Sequence, residues 1–192
     1  MSDTRQKILD AARSCLLEVG YANFSTRRVA DAAGVRVGHI HYHFGSKSNL
    51  VLSMLGEENE RLLHRQAQMY GAEEPLWKRW EQACDFLDDD LRTGYVRVLH
   101  EMTTAGFSDP DVATAVKNFL QGWMALLTDV ATQADETLGG LGPFTAQELA
   151  ALIGDAFLGA EAMLLLGVTE NEMPHRSALR RVGLWIREVE EG

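Results

Sequence analysis

A chain of 192 residues, 46% of them hydrophobic, is long enough to bury a core as one large domain or as a small domain joined to a larger one. It has no run of about eighteen apolar residues and no signal-peptide pattern at its start, so we expect a soluble cytoplasmic protein without a membrane segment. Cys15 and Cys84 lack a CxxC spacing, which argues against a disulfide framework or a cysteine metal site. We expect no cofactor.

The net charge of −10 argues against nucleic-acid binding by the chain as a whole, but the charge is distributed unevenly. Residues 1–50 carry seven basic and four acidic side chains, a net charge of +3, and the remainder carries −13. A small basic module on an acidic body is typical of a phosphate-binding domain attached to a domain of another kind. A chance fluctuation in surface charge would explain the difference in net charge between the two parts equally well.

Apolar residues recur at helical spacing along nearly the whole chain, and no hairpin pattern around Asn-Gly or Asp-Gly occurs, so the sequence predicts an all-α fold. The first helix stops at Gly20, and Ser25 or Thr26 caps the second. First-turn prolines and a capping box from Thr145 to Glu148 mark later helix starts. The predicted helices cover residues 4–19, 26–33, 35 or 36 to 44, 46–70, 75–92, 94–106, 110–137, 145–167 and 174–190.

The last two predicted helices are unusually apolar. Residues 149–166 include only two charged side chains, so this helix must be covered on most sides. The final helix adds the apolar residues Leu179, Val182, Trp185, Ile186 and Val189. Pairing of both helices across a two-fold axis would form a four-helix homodimer interface, with close approach at Gly154, Gly159 and Ala160. The alternative is that they complete the core of a monomer.

The segment from Ser25 to Phe44 has the parts of a helix-turn-helix, in which one face of the second helix packs on the domain and the other enters the major groove of DNA. Gly34 provides the turn, and Ile40 and Phe44 anchor the second helix. The packing face of the first helix and turn consists of Val29, Ala30, Ala33 and Val35. Gly38 costs about 1 kcal/mol inside a helix relative to alanine, so close approach to a neighbouring backbone or to DNA would account for it.

Two stretches within this segment carry a family resemblance. Residues 24–35, FSTRRVADAAGV, and residues 38–50, GHIHYHFGSKSNL, with the ending Tyr42-x-Phe44-x-x-Lys47, resemble the TetR family of transcriptional repressors. The resemblance implies a homodimer with an N-terminal three-helix, homeodomain-like DNA-binding domain over residues 1–48. It also implies a larger helical effector-binding and dimerisation domain over residues 49–192, which dimerises through its last two helices.

Carried over position by position, the resemblance implies which residues contact a double-stranded DNA operator. Thr26, Tyr42 and Lys47 would contact phosphates, with Arg27 or Arg28 adding to them. Arg36, Val37, Gly38, His39 and His41 would face bases or the groove wall, with His43 near the DNA backbone. The chain departs from the family pattern at Arg36, where a small hydroxyl residue is usual, and at His41, which replaces an aromatic residue. A bidentate contact from Arg36 to guanine would contribute about 1–3 kcal/mol of base discrimination.

Three histidines alternate along the second helix of this segment. His39 and His43 have the i, i+4 spacing of metal ligands, but His41 points elsewhere and no third ligand is near in sequence, so we favour a groove surface over a metal site. Because histidine titrates near pH 6.5, we hypothesise that DNA binding strengthens as the pH falls.

A pocket for a small-molecule effector would lie among the middle helices and be mostly apolar. The candidates are Trp80, Phe86, His100, Met102, Phe107, Phe119, Trp123, Met124 and Phe157, although each is individually more typical of a core residue. His100 and Glu101 form the most notable polar pair. Asp88, Asp89 and Asp90 are most simply a solvated acidic face, or else they favour a cationic ligand.

These observations predict a ligand-responsive transcriptional regulator, most simply a repressor released from a palindromic operator by an inducer. Two alternatives remain open at this point. One is a protein-interaction module whose helix-turn-helix does not bind DNA. The other is a helical enzyme that uses His100 and Glu101 as acid and base, although no GxSxG, HExxH or dinucleotide-binding pattern supports it.

Overall fold

The computed structural model describes the backbone of residues 2–192 and the side chains of residues 4–192. Within these residues the chain forms nine α-helices and no strand, which confirms the all-α prediction. The helices are α1 (Ser2–Asn23), α2 (Thr26–Ala33), α3 (Val37–Phe44), α4 (Lys47–Tyr70), α5 (Leu76–Thr93), α6 (Tyr95–Gly106), α7 (Pro110–Leu138), α8 (Ala146–Leu165) and α9 (His175–Glu191). None of the described helices has both the length and the apolarity that crossing a lipid bilayer requires.

Helix α1 contains a break at the residue where the sequence predicts its end. Gly20 has φ 72° and ψ 171°, a backbone conformation outside the helical region. The chain then resumes a short helical turn as far as Asn23. The break leaves backbone groups on both sides of Gly20 without the partners that a continuous helix would supply.

The described chain divides into two compact units, which differ from the predicted sequence domains. The first comprises the chain up to Arg61 together with Thr93–Phe119, and the second comprises Leu62–Arg92 with Leu120–Gly192. The predicted boundary at residue 48 therefore lies inside the first unit, at the start of α4. Helix α6 belongs to the same unit as the helix-turn-helix.

The second unit has a core cluster between α4, α5, α8 and α9. Its buried members are Met69, Ala83, Cys84, Leu87, Phe157, Ala160 and Leu179. Trp80 donates its indole N–H to the carbonyl of Leu179 at 2.7 Å, so the polar group of this half-buried side chain is satisfied. Burial raises the pKa of the Cys84 thiol to about 11, and Cys15 and Cys84 are both buried and unbridged.

Two of the three small residues predicted at a dimer interface instead serve packing within the chain. A Cβ added at Gly154 would lie 2.9 Å from the sulfur of Met124, so Gly154 allows α8 to approach α7. Ala160 belongs to the buried core cluster. Gly159 is exposed and has open space around it, so this position alone keeps the predicted outward orientation among the three.

The acidic stretch of α5 is paired with arginines of the same unit. Asp88 accepts from Arg176 at 2.6 Å, and Asp90 accepts from Arg65 at 2.6 Å. Asp89 forms a close ion pair with Arg92. The carboxylates thus have cationic partners already, which makes the hypothesis that they attract a cationic ligand unnecessary.

The start of α9 is held by a carboxylate from the preceding loop. Glu170 accepts hydrogen bonds from the backbone N–H groups of Arg176 and Ser177 at 2.9 and 3.2 Å, and from the Ser177 hydroxyl at 2.6 Å. These hydrogen bonds, above all that from the Ser177 hydroxyl, lower the pKa of Glu170. Because these bonds favour the ionised carboxylate, they stabilise the folded chain at pH values above the pKa that Glu170 has in the unfolded chain. This stabilisation is lost as the pH falls through the lower pKa of Glu170 in the folded chain.

Candidate nucleic-acid interface

Helices α2 and α3 form a compact helix-turn-helix, in which the predicted capping residue and the predicted turn glycine have the conformations expected of them. The Ser25 hydroxyl caps α2 by accepting the N–H of Arg28 at 3.3 Å. Gly34 has φ 66° and ψ 33°, the left-handed conformation that ends a helix with little strain only in glycine. The N–H of Val35 then donates to the carbonyl of Ala30 at 3.0 Å, which closes the turn. The chain is thereby redirected from α2 into α3.

Helix α3 has one buried face and one exposed face. Ile40 and Phe44 are 1% and 7% exposed, and on α2 Val29 is fully buried. Tyr42, on the other side of α3, is 75% exposed although it is a large aromatic residue. Since burying a tyrosine ring would be favourable, its exposure indicates a side chain available to a partner.

The predicted DNA-contacting residues fall into two groups by exposure. The exposed group contains Arg27, Arg28, Arg36, Gly38, His39, His41 and Tyr42. The half-buried group contains Thr26, Val37, His43 and Lys47. They lie on α2, on α3, at Arg36 just before α3, or at Lys47, the first residue of α4, so the structure brings the set together. Their contacts with DNA stay a prediction.

Arg36 occupies the N-cap position of α3 without acting as a cap. Its backbone is extended, with φ −79° and ψ 146°, and its side chain makes no capping hydrogen bond. A serine, threonine, aspartate or asparagine at this position would ordinarily contribute about 0.5–2 kcal/mol. Arg36 does not supply that stabilisation, and its exposed guanidinium group lies at the N-terminal end of α3.

Gly38 is not required by packing within the protein. A Cβ at this position would have no protein atom within 4 Å, so no neighbouring backbone approaches it. Of the two explanations that the sequence suggests, close approach to a neighbouring backbone is therefore wrong. Close approach to DNA stays a prediction.

The histidines of α3 differ in their surroundings. His41 is exposed, and its Nδ1 lies 3.1 Å from the carbonyl of Gly45, at the C-terminal end of the helix. The half-buried His43 ring packs edge-on against Tyr42 with 5.1 Å between ring centroids. In the part of the chain that the structure describes, no group of three or more His, Cys, Asp or Glu side chains could hold a metal ion.

Lys47 is engaged with the protein itself. Its ammonium group donates to the carbonyl of Tyr21 at 2.9 Å and lies 4.2 Å from the centroid of the Tyr21 ring. The family resemblance implies a phosphate contact for Lys47. The structure gives it a partner on α1 that the sequence did not indicate, because Tyr21 and Lys47 are 26 residues apart.

A profile of the bacterial regulatory proteins of the tetR family matches residues 8–54, which contain α2, the turn and α3. Residues 8–54 therefore carry the N-terminal domain of the tetR family. The HTH-type transcriptional repressor AcnR of Corynebacterium glutamicum is 41% identical over 61 residues, which cover 32% of this chain and 32% of that protein. The chain thus matches about a third of the length of this curated relative.

Solved structures of transcriptional regulators extend the similarity in fold to nearly the whole chain. A TetR transcription regulator from Haloarcula marismortui superposes with a TM-score of 0.77 at 19% identity, covering 98% of both chains. A transcriptional regulator from Saccharomonospora viridis, solved in complex with choline, gives a TM-score of 0.77 at 20% identity and covers 98% of this chain and 97% of that one. At these identities the likeness concerns the fold alone.

The effector-binding residues predicted from the TetR resemblance are divided between the two units. In the second unit, Trp80, Phe86, Trp123 and Phe157 belong to the core cluster or pack against it, and Met124 contacts Gly154. In the first unit, Met102 is fully buried and His100 is half-buried on α6. Phe119 borders an open groove of about 440 Å³ beside Phe44 and Leu52.

Two of the predicted effector-site features have surroundings that the sequence did not indicate, and their part in effector binding stays a prediction. Phe107 is 83% exposed, because α6 ends at Gly106 and helical periodicity no longer decides which way the next side chain points. Glu101 accepts the backbone N–H of Tyr21 on α1 at 2.5 Å.

Proposed function

We propose that this chain is a homodimeric TetR-family transcriptional repressor that places α3 in the major groove of a palindromic DNA operator. The observation that carries this proposal is the division of α3 into a buried face, at Ile40 and Phe44, and an exposed face that includes Arg36 and Tyr42. A recognition helix requires this division, because it must be held by its domain while its other face meets base edges. Such a role implies a cytoplasmic location.

The experiment that tests DNA binding starts from a random duplex library, since the operator is unidentified. We expect selection with the dimeric protein to enrich a palindrome with half-sites about one helical turn, roughly 34–36 Å, apart. Affinity for that palindrome should fall steeply with salt concentration, because each neutralised phosphate releases counterions. No enrichment would favour the interaction-module alternative instead.

The dimer interface that we propose is a stripe along the outer faces of α8 and α9. On α8 the exposed positions Leu152, Ala156 and Gly159 follow one another at helical spacing, and Leu166 beyond the helix end is 76% exposed. On α9 the stripe continues through Val182, Trp185 and Val189, which are 37%, 60% and 44% exposed. Exposed apolar residues repeated at helical spacing, as on each of these helices, are typical of a protein–protein contact when they form one patch.

The effector that we propose is a small, largely apolar molecule bound in the second unit, near the aromatic residues around the core cluster. Its binding would favour a conformation in which the two copies of α3 no longer match the half-site spacing. A coupling free energy of about 1–3 kcal/mol would change operator affinity some 5–150-fold. Although the neighbour from Saccharomonospora viridis was solved with choline, the acidic residues of α5 are ion-paired here, which gives no support for a cationic effector.

Replacement of Gly38 by alanine should change stability and DNA affinity in opposite directions. Since the position is open, the added methyl should raise the free energy of unfolding by about 0.5–1 kcal/mol through better helix propensity. At the DNA surface the same methyl would cost about 1 kcal/mol at each half-site, roughly 30-fold over both. Thermal unfolding and duplex titration of one variant measure both effects. An unchanged affinity would show that DNA does not approach Gly38 closely.

A further inference from the structure

The backbone of Tyr21 is held from two sides by oppositely charged side chains. Its N–H donates to Oε2 of Glu101 on α6 at 2.5 Å, and its carbonyl accepts from the ammonium group of Lys47 on α4 at 2.9 Å. Both bonds are partly buried. Hydrogen bonds to charged groups are stronger than neutral ones, and more so away from bulk water. Tyr21 therefore joins α6 to the start of α4.

Helix α6 also binds backbone groups on the N-terminal side of the break in α1. Arg97 donates to the carbonyl of Leu17 at 2.5 Å and to that of Leu16 at 3.3 Å, just before Gly20. These are the carbonyls that lose their partners when a helix is interrupted, and a cation beside them is electrostatically favourable. Arg97 and Glu101 are one helical turn apart, so one face of α6 serves the groups on both sides of the break.

Gly20 is the residue that makes this arrangement possible. Its φ of 72° is strained for residues with a side chain, and a Cβ there would lie 2.8 Å from Oε1 of Glu101. Any larger residue would therefore displace the carboxylate from the N–H of Tyr21. The break and the hydrogen bond from Tyr21 to Glu101 depend on the same position.

Lys47 connects Tyr21 with the end of the recognition helix. It is the first residue of α4 and follows Phe44, the last residue of α3, by three positions. The Tyr21 hydroxyl adds a contact with the Ser48 hydroxyl at 3.3 Å. A displacement of α6 would therefore move Tyr21, and with it the first turn of α4 to which α3 is attached by a two-residue connection.

We propose that Glu101 and Lys47 act together as positioning residues for the recognition helix, with Tyr21 as their common partner. On this view Lys47 raises operator affinity by fixing the junction of α3 and α4, and it does not contact a phosphate. The inference rests on the DNA-binding function proposed above. It assigns a role to Glu101 and Tyr21 that neither the family resemblance nor the exposed face of α3 would supply.

The test is a double-mutant cycle of operator affinity, measured over a range of salt concentrations with the selected palindrome as the probe. Lys47→Met and Glu101→Met each remove one bond to Tyr21 and should each lower the affinity about tenfold, a change of 1.4 kcal/mol. The double variant should lose little more than either single variant, because each change breaks the same link. The slope of log K against log salt should stay at its wild-type value in all three.

A phosphate contact predicts a different result. If Lys47 bound one phosphate in each half-site, Lys47→Met would reduce the salt slope by about 0.9 per half-site and its effect would add to that of Glu101→Met. Either result would overturn the inference while leaving DNA binding intact. A wild-type protein that binds no duplex would instead overturn the proposed function, so the two failures are distinguishable.

Folding is controlled within the same set of variants. Glu101→Gln keeps an acceptor for the Tyr21 N–H and should restore part of the affinity that Glu101→Met loses. If Glu101→Met does not fold, the cycle is run with Glu101→Gln and Lys47→Met, with a loss of about threefold expected for the milder change. Hydrogen exchange of the Tyr21 amide supplies a second readout, and it should be faster in Lys47→Met. Unchanged exchange would contradict the link.

Discussion

Replacing Arg36 by serine should weaken operator binding severely while making the protein more stable. Arg36 stands at the N-cap of α3 with an extended backbone and no capping bond, so a serine hydroxyl at this position could accept a free N–H of the first turn. We expect the free energy of unfolding to rise by about 1 kcal/mol. The lost guanine contact would cost about 1–3 kcal/mol at each half-site, or roughly 30-fold to 10⁴-fold for both.

The measurements for Arg36→Ser are thermal unfolding and titration of the selected palindrome together with variants of it. Arg92→Ser is the matched control, because it also removes one exposed positive charge but lies on α5 in the second unit. If Arg36 reads guanine, substituting that base should cost the wild type far more than it costs the variant. Equal losses for Arg36→Ser and Arg92→Ser would show that Arg36 contributes only net charge.

The recognition helix could be predicted from the sequence because its determinants are local. Gly34, Ile40 and Phe44 lie within eleven residues, and helical spacing alone puts Ile40 and Phe44 on one face. The structure confirms their burial, and the exposed positions follow by exclusion. The two units differ from the predicted domains for the opposite reason, since α6 joins the first unit through contacts with residues about 80 positions earlier in the chain.

The link through Tyr21 could not have been predicted. Gly20 signals a helix end, but the sequence does not show that Arg97 and Glu101 satisfy the groups on either side of it. The one local hint is that these two charged residues have i, i+4 spacing on a helix that is otherwise rich in buried apolar residues. Charged side chains on such a face require polar partners. The spacing of the charged residues does not predict which residues those partners are.

Small residues and aromatic residues were the least informative in sequence. Gly154 permits the approach of α7, and Gly159 faces open space. The sequence does not distinguish the two positions, because each is a glycine in an apolar helix. Among the aromatic residues, Trp80 packs in a core cluster and Phe107 is exposed. Tertiary packing decides which neighbouring helix covers a position. Helical periodicity alone does not predict that helix.

Replacing Trp185 by glutamate should separate the dimer and abolish high-affinity operator binding. Trp185 is 60% exposed in the single chain and lies in the middle of the apolar stripe on α9. A two-fold interface buries each of its residues twice. A tryptophan at the centre of an interface commonly contributes about 2 kcal/mol or more, so two copies would raise the dimer dissociation constant roughly 10³-fold.

Sedimentation analysis across micromolar concentrations and duplex titration measure the two consequences of Trp185→Glu. Gln147→Glu is the matched control: it adds the same charge at an exposed position in the first turn of α8, away from the stripe. The control should remain dimeric and bind DNA normally. A Trp185→Glu protein that is folded, dimeric and fully active in DNA binding would place the interface elsewhere. Loss of DNA binding together with loss of the dimer would show that α3 must be presented as a symmetric pair, since one copy can reach only one half-site.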